Sequence, residues 1–217
     1  MTLALFDLDE TLIRADSASL WIEYLRDIAW VDQGFQQQEQ AMMENYASGK
    51  MSMQEYMQFT LQPLLPYDLS TITQQVKNFV EQRIKPIVYP QAQETLAHYR
   101  QAGARIIIIS ATAEFIVKEV AHLLGVQEVI AIKTASFNQR LTGQTIGTLS
   151  YQAGKVTRLK EYLGQEYEEA MKTAYFYSDS QNDLPLLNEV AFPHVVNPND
   201  KLKAYALEKG WPVLEWK

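Results

Sequence analysis

A pair of aspartates directly follows a short apolar run near the start of the sequence. Residues 3–6 (Leu-Ala-Leu-Phe) predict a buried strand, and Asp7 and Asp9 come where that strand would end. Side chains two residues apart point the same way in an extended chain, so both carboxylates could address one reacting group. One could attack a phosphorus atom while the other gives a proton to the leaving oxygen. Alternatively, the acids could cap a helix N-terminus, where the helix dipole favours negative charge.

Two more polar residues lie where predicted strands end or predicted helices begin. Ser110 follows the isoleucine run 106–109, and its hydroxyl and nearby N–H groups could bind an anion at the start of a predicted helix, 113–124. It could equally be an ordinary N-cap serine. Lys155 begins a predicted helix, 155–163, where a cation opposes the helix dipole. A nearby anion would explain that position, although a solvated surface lysine is the alternative.

Two acids four residues apart follow another predicted strand. Asp179 and Asp183 come after the aromatic-rich run 173–177, and paired carboxylates suit a hard cation such as Mg²⁺. An acidic loop that caps a short helix is the alternative. Ligands of open parallel sheets bind at the carboxyl ends of the strands, so these separate features could meet at one site.

The elements that would position these residues change in character along the chain. Residues 17–85 are rich in Gln, Met, Glu and Tyr at helical spacing, and they predict three or four helices broken near Gly49, Pro63 and Pro66. From residue 86 onward, strand and helix patterns alternate. Besides those already described, the predicted elements are a helix over 91–101, strands over 129–132, 195–196 and 213–214, and a hairpin over 135–151.

This order predicts an α/β fold with a Rossmann-like parallel sheet core and a helical cap domain inserted after the first strand. The core would comprise residues 1–16 and 86–217, and the cap would comprise residues 17–85.

Composition narrows the classes of function. The 217 residues carry 19 Lys and Arg against 26 Asp and Glu, a formal charge of −7 that disfavours binding to nucleic acid. The absence of cysteine excludes disulfides, thiolate catalysis and Cys-ligated metal centres. Neither a secretory signal nor an apolar run long enough to span a bilayer is recognisable. We therefore expect a soluble cytoplasmic protein that binds neither membrane nor nucleic acid. The acids that could act on a phosphorus atom, and not the composition, indicate a small phosphorylated metabolite as its ligand.

The motifs together resemble the haloacid dehalogenase-like superfamily of phosphatases, and the resemblance covers the whole chain. The four motifs are Asp7-Leu8-Asp9-Glu10-Thr11-Leu12, Ser110-Ala111-Thr112, Lys155 and Asp179-Ser180-Gln181-Asn182-Asp183. The insert resembles the helical cap of the phosphoserine phosphatase-like subfamily, because it lies between the first and second motifs.

The resemblance implies roles for the acids. Asp7 would be the nucleophile and Asp9 the acid/base, with the main-chain carbonyl of Asp9 also on a Mg²⁺ ion. Asp179 and, directly or through water, Asp183 would complete the protein's metal ligands.

The resemblance also implies a phosphate site formed by Ser110, Ala111 and Lys155. In phosphoserine phosphatases, an acid nine residues after the nucleophile binds the substrate amine, and Asp16 takes that position here. A cap arginine that binds the substrate carboxylate becomes Gln58 when the sequence is aligned from Gly49-Lys50.

A neutral amide is a poor partner for a carboxylate, which favours a substrate with an amine but no carboxylate. Histidinol phosphate is the favoured substrate; phosphoserine, phosphoethanolamine and lipid phosphates are the alternatives. A phosphotransferase would use the same residues. Outside enzymes, the fold could serve as an inactive binding protein. A receiver-type signalling domain fits less well, because its phosphorylated aspartate follows a middle strand.

Overall fold

The structure, a computed structural model, describes residues 2–47 and 51–217. Within these ranges, seven strands form one sheet in the order β4-β3-β2-β1-β5-β6-β7. The strands are β1 (Leu3–Phe6), β2 (Arg105–Ala113), β3 (Glu128–Phe137), β4 (Arg140–Ile146), β5 (Tyr175–Ser178), β6 (Phe192–Val196) and β7 (Val213–Leu214). Neighbouring strands are parallel, except that β4 pairs antiparallel with β3. The predicted fold class, an α/β protein with a mostly parallel sheet, is confirmed.

Helices connect the strands and fill the segment between β1 and β2. Those of the insertion are α1 (Ser17–Asp27), α2 (Gln33–Ala47), α3 (Met53–Leu61) and α4 (Leu69–Phe79). Those that follow are α5 (Pro90–Gln101), α6 (Glu114–Leu123), α7 (Ala153–Leu163), α8 (Tyr167–Met171), α9 (Leu184–Leu187) and α10 (Asp200–Lys209). The break predicted near Gly49 lies outside the described residues. The limits of core and cap, at residues 16 and 86, stay a prediction.

Strand β1 is apolar throughout because helices cover both of its faces. Ala4 and Phe6 belong to the larger hydrophobic cluster, which also contains residues of α1, α3, α4, α5 and α6. Leu3 and Leu5 point to the other face, in a cluster with residues of α7 and α10. Strands buried on both faces read as continuous hydrophobic runs, which explains why this short segment was recognisable from sequence.

Strand β1 also marks the point where the chain changes direction across the sheet. After β1 the strands are added on one side as β2, β3 and β4, and then on the other side as β5, β6 and β7. Connections that leave in opposite directions open a crevice at the carboxyl ends of the central strands. The acids after β1 therefore lie at the position where this architecture binds ligands.

One predicted boundary near the site is wrong. The sequence predicts a strand that ends at Ile109, but β2 continues to Ala113, because pairing with β3 resumes at Ala113 and Ile132 after an irregularity. Helix α6 consequently begins at Glu114, and Ser110 is not at a helix N-terminus. The predicted hairpin over 135–151 is present in shorter form, with β3 itself as its first arm.

Candidate active site

A cavity of about 460 Å³ lies at the carboxyl ends of β1, β2 and β5 and is closed on one side by the insertion. Its described lining residues are Asp7, Asp9, Glu10, Asp16, Ala18, Ser19, Met43, Met53, Tyr56, Ala111, Thr112, Tyr151, Lys155, Asp179, Ser180, Asn182 and Asp183. Residues from all four sequence motifs and from the insertion thus share one cavity.

Lys155 joins the first and fourth motifs at the bottom of this cavity. Its Nζ lies 2.6 Å from Asp7 Oδ1 and 2.7 Å from Asp183 Oδ2. Burial by itself would lower the pKa of Lys155, but the charges of Asp183 and Asp7 outweigh it, so the pKa of the ammonium is raised. Burial raises the pKa of Asp7; Lys155 opposes this, and the neighbouring Asp183 and Asp9 add to it. The site therefore holds the Lys155 cation in a fixed position among several acids, whose combined negative charge exceeds its single positive charge.

A tight turn positions Lys155. A Cβ on Gly154 would lie 2.0 Å from the carbonyl oxygen of Leu149, so only glycine fits where α7 approaches the preceding turn. Gln152, just before the helix, has a φ of 50°. The turn is further fixed by Ser150, whose hydroxyl donates to the carbonyl oxygen of Ser110 at 2.6 Å and so links motifs two and three.

Asp179 lies beside Asp7 and is held by Thr11. Thr11 Oγ1 donates to Asp179 Oδ1 at 3.1 Å and accepts from the Asp179 amide at 3.0 Å. Burial raises the pKa of Asp179, and the charges of Asp7, Asp183 and Glu10 raise it further. A divalent cation would relieve this repulsion.

The acids fit magnesium better than a metal enclosed by protein side chains. Among the described residues, no three Asp, Glu or His side chains are placed to hold a metal ion by themselves. Mg²⁺ is usually bound by one or two carboxylates and completed by water and phosphate oxygens. Asp7 and Asp179 could supply those carboxylates. Oδ2 of Asp183 accepts from Lys155 and from Ser178 at 2.7 Å each, which suits contact with a metal through water.

Asp9 is held by groups from both sides of the cavity. Its Oδ1 accepts from the amide of Ser17, at the start of α1, at 2.7 Å. Its Oδ2 accepts from the hydroxyls of Thr112 at 2.9 Å and Ser110 at 3.3 Å. The Thr112 hydroxyl was not singled out by the sequence, although it follows Ser110 by two residues on an extended strand and so can face the same side.

The second motif contributes to the cavity wall through residues after Ser110. Ser110 is fully buried behind the wall, and its Oγ accepts from the Thr112 amide at 3.0 Å. Ala111 and Thr112 line the cavity instead. The phosphate-binding roles of Ser110, Ala111 and Lys155 stay predictions.

Asp16 caps α1 and also lines the cavity. Its Oδ1 accepts from the amide of Ser19 at 2.7 Å. Burial, with a contribution from the charge of Asp9, raises the pKa of Asp16 to about 7. Asp16 is therefore an acid with little compensating charge in the same cavity as Asp7.

Gln58 does not reach the cavity, and the sequence-based placement is wrong. Its side chain donates to Gln144 of β4 at 3.4 Å, and the cavity-lining residues of α3 are Met53 and Tyr56. Successive residues of a helix are about 100° apart, so Gln58 lies about 200° around the helix from Tyr56. Tyr56 is the aromatic residue of α3 that lines the cavity, whereas Trp21 of α1 stacks on Tyr24.

Residues 4–188 match the family of haloacid dehalogenase-like hydrolases. The chain belongs to this family.

Relatives of this haloacid dehalogenase-like hydrolase extend the comparison over the whole chain. It is 38% identical over 220 residues to a histidinol-phosphatase of Neisseria meningitidis serogroup C (strain 8013), with 99% of each chain covered. It is 32% identical to a protein of unknown function from Bordetella pertussis Tohama I, whose crystal structure superposes with a TM-score of 0.92 over 99% of each chain. A substrate-bound phosphoserine phosphatase, 17% identical, shares the fold with a TM-score of 0.71 over 98% of this chain and 92% of the other.

Family membership and the full-length histidinol-phosphatase relative make this chain a phosphatase. Phosphatases of the haloacid dehalogenase-like family generally depend on Mg²⁺. Two of the relatives, the histidinol-phosphatase and the phosphoserine phosphatase, act on small phosphorylated metabolites. Across the described ranges, every helix is too short or too polar to reach from one side of a bilayer to the other.

Proposed function

We propose that this phosphatase hydrolyses a small phosphomonoester that carries an amine, with L-histidinol phosphate as the favoured substrate. The observation that carries the proposal is the position of Asp16, which lines the same cavity as Asp7 on the wall formed by the insertion. An ammonium group beside Asp16 would balance a carboxylate that is otherwise surrounded by acids. The full-length relative named histidinol-phosphatase supports the same substrate.

The described part of the cavity offers little to a substrate carboxylate. Lys155 is the sole Lys or Arg among the described lining residues, and it is engaged by Asp7 and Asp183. A buried carboxylate without a cationic partner costs several kcal/mol, so phosphoserine should bind about a thousandfold less well than a substrate that avoids this penalty. The lack of a second cation among the described lining residues, and not the identity of residue 58, therefore disfavours phosphoserine.

The chemistry would use the acids of the first motif. Asp7 attacks the phosphorus atom, the bond from phosphorus to the substrate oxygen breaks, and Asp9 gives that oxygen a proton. Water then attacks the phosphorus of the aspartyl-phosphate, the bond from phosphorus to the Asp7 oxygen breaks and releases inorganic phosphate, and Asp9 takes the proton of that water. When bound, Mg²⁺ offsets the combined negative charge of Asp7 and the phosphate.

The test compares kcat/KM for L-histidinol phosphate and L-phosphoserine. We expect histidinol phosphate to be preferred at least tenfold, which needs only about 1.4 kcal/mol of differential binding. Asp16→Asn should remove most of that preference while keeping the helix cap, because asparagine caps about as well as aspartate. Asp16→Ala should do the same with an additional loss of stability.

Asp68→Asn is the matched control. Asp68 caps α4 in the same way, accepting from the amide of Thr71 at 2.7 Å, but it does not line the cavity. The control should leave the substrate preference unchanged. A wild-type preference for phosphoserine, or unchanged selectivity in Asp16→Asn, would overturn the proposed substrate.

A further inference from the structure

A buried glutamate lies directly behind the wall of the cavity that the insertion forms. Glu39 of α2 is 1% exposed. Its Oε1 accepts from Tyr56 Oη of α3 at 2.7 Å and from Ser19 Oγ of α1 at 3.2 Å. Tyr56 and Ser19 both line the cavity, whereas Glu39 does not. One carboxylate therefore holds two hydroxyls of the substrate-facing wall.

The direction of the hydrogen bonds made by these hydroxyls decides whether the wall offers donors or acceptors to a ligand. A hydroxyl has a single proton to donate. Burial raises the pKa of Tyr56, and the charges of Asp16 and Glu39 raise it further, so the phenol keeps its proton. Tyr56 gives its proton to Glu39, and Ser19 gives its single proton to Glu39 or to the neighbouring Asp16 or Tyr56, so a hydrogen bond that either oxygen makes with a ligand must be as an acceptor.

The carboxylate of the neighbouring Asp16 likewise offers hydrogen-bond acceptors. Its carboxylate accepts from the Ser19 amide and lines the cavity next to Ser19. Asp16, Ser19 and Tyr56 thus present acceptors from three positions on the insertion. A ligand group opposite them forms hydrogen bonds only if it brings donors.

We propose that Glu39 determines substrate specificity by accepting from the hydroxyls of Tyr56 and Ser19, which makes this wall select substrates rich in N–H donors at the end away from the phosphate. An alkylammonium group and an imidazole both have such donors, whereas a carboxylate has only acceptors. The inference rests on the proposed function for its substrate class. Glu39 touches no reacting atom and is a positioning residue.

The experiment uses two substrates that differ in one group. Phosphoethanolamine and propyl phosphate have nearly the same size, but the first ends in an ammonium and the second in a methyl. The readout is the ratio of their kcat/KM values at saturating Mg²⁺. In the wild type we expect a ratio of at least about ten in favour of the amine. Without that preference the proposed function itself fails, before any variant is made.

Glu39→Gln is the decisive variant. The amide keeps the size of the side chain but can donate an N–H to either hydroxyl, which then becomes free to donate into the cavity. We expect the ratio to fall at least fivefold, and we expect the same direction of change for histidinol phosphate against propyl phosphate. A role limited to holding three helices together would slow both substrates alike and leave the ratio unchanged, and that result would overturn the inference.

Tyr56→Phe tests the same inference without touching Glu39, in case Glu39→Gln fails to fold. Removing the phenol oxygen removes one acceptor from the wall and leaves the ring in place. The ratio should again fall, by at least about threefold. An unchanged ratio in folded Tyr56→Phe would overturn the inference even where the wild-type amine preference is present.

Discussion

The ammonium of Lys155 lies 2.6 Å from Oδ1 of Asp7, and both side chains are buried. The lysine also contacts Asp183, so a single cation fixes the proposed nucleophile relative to the fourth motif. A charge-assisted contact of this length orients the Asp7 carboxylate before substrate binds. The same lysine is close enough to balance the charge that a phosphoryl group on Asp7 would bring.

Replacing the nucleophile gives the first prediction. Asp7→Asn should keep the hydrogen bond from Lys155, and therefore the fold, but should lose turnover by about a millionfold, the scale seen when a nucleophile is removed. Steady-state release of phosphate measures the loss, and beryllium fluoride should bind on the Asp7 carboxylate of the wild type. Near-normal turnover in Asp7→Asn would exclude covalent catalysis at this residue.

The second prediction concerns the metal. Asp7 and Asp179 are hard oxygen donors, so EDTA should abolish activity and Mg²⁺ should restore it, whereas Ca²⁺ should not. Ca²⁺ takes more ligands in a looser geometry and would misplace the phosphorus atom relative to Asp7. Asp179→Asn should raise the Mg²⁺ concentration needed for half-maximal activity. Full activity after removal of metal would contradict the magnesium site.

A third prediction tests whether Thr112 positions Asp9. Thr112→Val removes the donor that lies 2.9 Å from Asp9 Oδ2 while preserving shape. A misoriented acid should slow an alkyl phosphate at least tenfold, within the roughly 10²- to 10⁴-fold that general acid catalysis contributes. 4-Nitrophenyl phosphate should lose less, because nitrophenolate leaves without needing a proton.

Thr112→Ser is the matched control and should restore activity on the alkyl phosphate, because it returns the hydroxyl. If Thr112→Val slowed both substrates by the same factor, Thr112 would have a structural role and would not act through Asp9.

The fourth prediction concerns stability. Gly154→Ala should lower the free energy of unfolding by about 1–3 kcal/mol or more, because the new Cβ would meet the carbonyl oxygen of Leu149. Gly34→Ala is the control, since Gly34 lies in the first turn of α2 and its closest neighbour is the side chain of Asp32. That change should be close to neutral or stabilising, because alanine favours helix. Urea unfolding of both variants measures the difference, and equal stability would contradict the close approach at Gly154.

Much of the catalytic wall was predictable because its signals are local. Asp7 and Asp9 follow a strand that is buried on both faces, and such a strand reads as an uninterrupted apolar run. Asp179 likewise follows a strand that the aromatic-rich run predicts, and Lys155 lies in the first turn of a predicted helix. Parallel strands place their carboxyl ends together, so the order of motifs was enough to predict a shared site. Ser110 is the exception, because β2 pairs with β3 again at Ala113 and so extends beyond the predicted strand end, and Ser110 lies buried inside the longer strand.

The substrate wall depended on tertiary structure. Gln58 was predicted to face the substrate, but the rotation of α3 presents Tyr56 to the cavity and turns Gln58 toward β4. Glu39 carries no local signal at all: one glutamate in a polar helix looks like any solvated residue. Its burial arises only because α1, α2 and α3 pack around it, and helix packing is fixed by contacts between segments far apart in sequence. The residues proposed to act on the phosphoryl group were therefore predictable from the sequence, whereas the residues proposed to recognise the rest of the substrate reach the cavity only through the packing of the helices of the insertion.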